Sequence, residues 1–165
     1  MGRGFESLDR HHYKYIRIIT EDPMEQLIEE MKKLLASSFS LYLKAHNYHW
    51  NVTGPNFAQY HEFFGDFYEE VHGSVDTTAE EIRKLGSFAP GSLSRYSDLS
   101  VVDDELNIPP SSRMFENLAA DNDKVISLLY NCRRIADSIG RNGTVNYLED
   151  RISTHEKHAW MLKSF

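Results

Sequence analysis

Four long stretches in which apolar residues return every three or four positions, with one polar connection over residues 87 to 108, constrain this chain most. That spacing puts the apolar side chains on one side of an α-helix. The first stretch has a legible start. Asp22 is a good N-cap, Pro23 suits the first helical position and Glu25 completes a capping-box spacing. Met24, Leu27, Ile28, Met31, Leu34 and Leu35 follow, and the pattern runs to about Trp50, where Asn-Val-Thr-Gly-Pro-Asn ends it. The second stretch, from Phe57 through Phe64, Phe67, Val71 and Ile82 to Leu85, stops at Gly86. The third begins near Pro109-Pro110-Ser111 and breaks at Gly140 and Gly143; the fourth is expected from about Thr144 to Ser164. The connection between the second and third is rich in Ser, Gly and Pro, and a short helix is expected near Asp98 to Asp103. No segment alternates with period two. The expected fold is therefore all-α, a four-helix bundle whose one long crossover gives it ferritin-like topology. Residues 1–22 read as an N-terminal extension and 23–165 as the bundle domain.

The second stretch carries another line of residues, His61, Gly65, Tyr68, His72, Asp76 and Glu80, nearly all four apart and so on one edge of the helix. Asp76 and Glu80 can present two carboxylates to one ion, although an acidic pair at this spacing is by itself ordinarily a solvated face. A hard or borderline cation such as iron accepts carboxylate oxygen together with imidazole nitrogen. His49 can approach His61 across the Gly-Pro turn. Fifteen residues separate His61 from Asp76, however, ~22 Å along a straight helix, so one ion cannot touch both. The two histidines and the two acids are half-sites, completed only if another chain supplies the other half. A two-fold axis near residues 68 to 71 would do so and would generate two sites per dimer. Gly65, costly inside a helix, is expected to mark a close approach of that second chain.

The run Lys-Ala-His-Asn-Tyr-His-Trp-Asn-Val-Thr-Gly-Pro-Asn-Phe-Ala-Gln-Tyr-His, followed by Val-Asp-Thr-Thr-Ala-Glu-Glu, resembles the signature of the Dps proteins. These are mini-ferritins that oxidise iron and protect DNA in stressed bacteria. The likeness continues through Arg-Tyr-Ser-Asp-Leu-Ser-Val-Val-Asp-Asp-Glu and the fourth helix, so it covers most of the chain. It implies a homododecamer built from two-fold dimers around a hollow store, with iron oxidised by hydrogen peroxide or dioxygen between subunits. The implied ligands are His49 and His61 of one subunit with Asp76 and Glu80 of its mate. It also implies radical interception at Trp50 when peroxide is the oxidant; the other reading of Trp50 is a large core aromatic. Many members have an acid four residues after the second histidine. Here that position is Gly65, and the adjacent Asp66 points about 100° away. Glu149 and Asp150 fall where the family's iron-entry pore is expected.

Other chemistries fit less well. Glu69-Glu70-Val71-His72 holds the Glu-x-x-His of an intra-bundle di-iron site, but once only. Thr-His-Glu-Lys-His on the fourth helix misses zinc-protease spacing by one residue, and His155, Glu156 and His158 are expected at the surface or an interface. There is no P-loop and no nucleophile elbow. The single cysteine, Cys132, is expected to be a small buried apolar residue. With no apolar run long enough for a bilayer and no secretion signal, a cytoplasmic location away from membranes is expected. The net charge is −7, yet residues 1 to 19 carry +2 and the remainder −9. DNA affinity depends on cations that displace counterions, so DNA binding is expected to be weak or absent. The alternative function, a DNA-compacting protein with incidental iron, has little charge to work with.

Overall fold

The computed structural model describes residues 22–165. They form five helices: α1 (Pro23–Asn51), α2 (Phe57–Lys84), α3 (Leu93–Leu99), α4 (Ser111–Ser138) and α5 (Asn142–Leu162). The Asp22 carboxylate accepts the Met24 amide at 3.0 Å, so the expected cap starts α1. Gly54, at φ +112°, turns the chain back into α2. Gly86 and Gly140 adopt φ +92° and +70°, ending α2 and α4.

Cross-helix contacts give the directions. Lys44 meets Asp121 and Asn117 meets Tyr48, so α4 runs antiparallel to α1. Thr144 reaches Glu81 and Arg151 reaches Glu70, so α5 runs antiparallel to α2. Helices α2 and α4 are therefore parallel, and the chain between them must travel the length of the bundle. The core is the inner stripe of each long helix, with Leu35, Phe64, Leu118 and Leu148 among its fully buried members. Each such side chain contributes ~1.5–3 kcal/mol through burial. Cys132 is buried among them, as expected.

Two boundaries differ from the sequence reading. The crossover helix lies at Leu93–Leu99 rather than 98 to 103, because Ser92 caps it through the Arg95 amide. Ser100 then leaves helical geometry, and its hydroxyl bonds Val102, which is buried. Helix α5 begins at Asn142 and takes Gly143 into its first turn, so only Gly140 breaks the chain there.

Candidate metal centre

The end of α1 and the start of α2 converge on the Gly54 turn and bring two imidazoles together. Nδ1 of His49 lies 2.7 Å from the carbonyl oxygen of His61, and Nδ1 of His61 lies 2.7 Å from the carbonyl of His49. A carbonyl only accepts, so each Nδ1 must carry the proton. In its neutral form each ring then has its lone pair on Nε2, the tautomer a metal ligand needs. The rings stack, with centroids 3.7 Å apart and planes 23° from parallel, and Phe57 covers His61 at 5.1 Å. Gly65 completes this packing. A Cβ built there would lie 3.3 Å from Cε1 and Nδ1 of His49. The glycine therefore makes room for an imidazole of its own chain.

Asp76 and Glu80 lie on the exposed edge of α2, far from the histidine pair. Their side chains have no hydrogen-bond or ionic partner among the described residues. Nor do the described residues hold any group of three His, Cys, Asp or Glu side chains closed around one point. The described chain thus carries an imidazole pair and a separate carboxylate pair.

Trp50 is 60% exposed, which removes the core-aromatic reading. The sequence reading missed what lies beneath it. His46 is sandwiched between Trp50 and Tyr68, with ring centroids 3.9 and 4.0 Å away, and its buried Nδ1 has no hydrogen-bond partner among the described residues. Its place one turn before His49 was the available signal. Asp66 is exposed. Glu149 is exposed and bound by Arg133 at 2.9 Å, whereas Asp150 is exposed with its carboxylate unpaired among the described residues.

The fourth-helix histidines overturn their expectation. His155 and His158 are buried against Asn122 and Glu70, whereas Glu156 and Lys157 between them are exposed, Glu156 bonded to Tyr130. Helix α5 turns these positions toward α2 and α4, which spacing within one helix does not reveal.

The family model for the ferritin-like domain matches residues 28–165. An uncharacterized low temperature-induced protein of Nostoc is 31% identical over 149 residues, covering 89% of this chain and 83% of the relative. A DNA protection during starvation protein of Brevibacillus brevis is 30% identical over 143 residues, covering 86% and 96%. The crystal structure of a Dps protein from Bacillus brevis superposes with a TM-score of 0.83 at 29% identity, covering 87% of this chain and 96% of that one. This chain belongs to the Dps proteins of the ferritin-like family. At Gly65 the His49 ring fills the space a side chain would enter.

Proposed function

We propose that this protein is a ferroxidase and iron store whose centres form between subunits. The observation that carries the reading is the reciprocal His49–His61 pair, set ~22 Å along α2 from two carboxylates that have no partner among the described residues. An isologous dimer supplies what each chain lacks, placing Asp76 and Glu80 of a second copy opposite His49 and His61. Family membership supports this arrangement, assembly of six such dimers into a dodecameric shell, and iron as the substrate. Imidazoles hold Fe(II), and carboxylate oxygens favour the Fe(III) product. With hydrogen peroxide as oxidant, two Fe(II) ions give up one electron each, the O–O bond breaks, and two protons complete two waters. Dioxygen is the alternative oxidant. Ferric product then collects as mineral inside the shell, in the cytoplasm. Trp50, exposed beside His49, is placed to give an electron to a stray radical. Asp150 is the better candidate for an acidic entry pore, since Glu149 is already engaged by Arg133.

The test is subunit complementation. A His49→Ala/His61→Ala chain and an Asp76→Ala/Glu80→Ala chain are each expected to be inactive. Mixed shells are expected to regain Fe(II) oxidation, because one of the two sites in a mixed dimer is intact. Verified mixed shells that stay inactive would overturn the shared centre.

A further inference from the structure

His155 and His158 of α5 play no part in the iron chemistry above, yet they belong to a polar cluster that links α2, α4 and α5. Arg151 of α5 is 7% exposed and points across to Glu70 of α2. Its Nη1 donates to one carboxylate oxygen, and its Nη2 lies 3.2 Å from the other. The same Nη2 lies 3.1 Å from Nε2 of His155, which is 1% exposed. His158 contacts the Glu70 carboxylate through its own Nε2 at 2.9 Å.

The protonation of His155 follows from Asn122. The amide Nδ2 of Asn122 donates to the His155 carbonyl at 2.9 Å, which leaves its Oδ1 facing the ring 2.7 Å from Nδ1. Nδ1 therefore carries the proton, and the Nε2 lone pair faces the guanidinium. An arginine can only donate, so the two assignments agree. A cation is thus held by a carboxylate and by an imidazole lone pair whose other nitrogen is anchored to an amide oxygen. Metal-ligating histidines are oriented in this way by their outer partners.

We propose that the Arg151 guanidinium is a tethered cation occupying a carboxylate–imidazole metal position between α2 and α5, and that it keeps divalent transition-metal ions out of the bundle. Glu70, His155 and His158 are the donors; imidazole with carboxylate suits Zn(II), Co(II) or Fe(II). No three such donors are closed on one point among the described residues, and the guanidinium lies between Glu70 and His155. Burial, with Arg151 and His158 adding to it, holds the His155 imidazole down at about 3, so the ring is neutral. Burial would raise the Glu70 carboxyl, but His158 and Arg151 outweigh it and hold it at about 2. The Glu70 carboxylate and the His155 Nε2 lone pair, both already turned toward a cation, are donor groups of the kind a metal takes. The proposal rests on these contacts alone and is independent of the ferroxidase reading.

The experiment starts from a His49→Ala/His61→Ala parent of the full chain, which removes the other imidazole pair. Adding Arg151→Met keeps an apolar side chain of similar length and removes the charge. Co(II) is titrated into both proteins and read by its visible d–d bands. The triple variant is expected to take one Co(II) per chain with four-coordinate bands, at least about tenfold more tightly than the parent. His155→Ala in that variant should abolish the bands, and Asn122→Ala should weaken binding by about 10- to 100-fold. A folded triple variant with the parent's Co(II) affinity, or binding that survives His155→Ala, would overturn the proposal. If Arg151→Met unfolds the protein, Zn(II) is expected to restore the helical signal; a chain that stays unfolded with Zn(II) counts equally against it.

Discussion

At Gly65 the usual cost of a helical glycine is exchanged for contact with an imidazole. His49 cannot slide away without losing the bond from its Nδ1 to the His61 carbonyl. Gly65→Ala recovers up to ~1 kcal/mol of helix propensity while pressing on that ring. Thermal stability is expected to hold or rise, whereas metal affinity at the histidine pair falls about tenfold. Melting curves and Co(II) calorimetry on one variant separate the two effects. A second residue-scale prediction concerns acid. His155 is held at about 3, below its ordinary 6.5, and Glu70 at about 2, below 4.5. Across each interval the unfolded chain binds a proton that the folded chain does not, so stability falls as pH drops. The His155 contribution is lost between pH 6.5 and 3, and that of Glu70 below 4.5. Denaturation measured against pH should therefore flatten over the upper interval in His155→Gln, whatever its baseline stability.

Between elements, polar ties fix what apolar stripes leave free. Lys44 of α1 and Asp121 of α4 form an ion pair in which both side chains are buried. Lys124 gives Asp121 a second cation from the same helix at 2.8 Å. Removing one partner of a buried pair leaves an uncompensated charge, so Asp121→Ala is expected to cost ~3–5 kcal/mol by chemical denaturation. The crossover is tied to the bundle in a similar way. The Val101 amide donates to the Ser37 hydroxyl at 3.0 Å, and the Tyr48 phenol donates to the Glu105 carboxylate at 2.8 Å. Asn117 of α4 donates to the same phenol at 3.0 Å. These ties hold the long connection along α1 and set the height at which α4 enters the bundle.

For the whole molecule, assembly and charge decide behaviour. Sedimentation is expected to find a dodecamer at micromolar concentration; a stable dimer or a larger shell would defeat that assembly. The body of the chain is acidic, at −9, and residues 1 to 19 of each copy add only +2. Those residues lie outside the described structure. Multivalency across copies raises avidity without new contacts, and phosphate contacts weaken steeply with salt. His11 and His12 gain charge below about pH 6.5. A DNA gel shift is expected in acidic, low-salt buffer and is expected to vanish at neutral pH and physiological salt. Tight binding under the latter conditions would show that the N-terminal cations act more strongly than their number suggests.

Helix number, the parallel second and third long helices implied by a long crossover, and the separation of His61 from Asp76 were legible in the sequence. Asp22, Gly54, Gly86 and Gly140 act through their own neighbours, and a helix is stiff enough that spacing along it converts directly to distance. Tertiary structure alone decided the rest. Spacing could not say that His49 and His61 would exchange hydrogen bonds and so fix their tautomers, nor that Gly65 accommodates its own chain's imidazole. Nor could it reveal that His155 and His158 turn inward onto Glu70, Arg151 and Asn122. Which face of α5 is covered, and by which charge, depends on where α2 and α4 lie. That is a property of helix packing between residues far apart in sequence, and no local pattern encodes it.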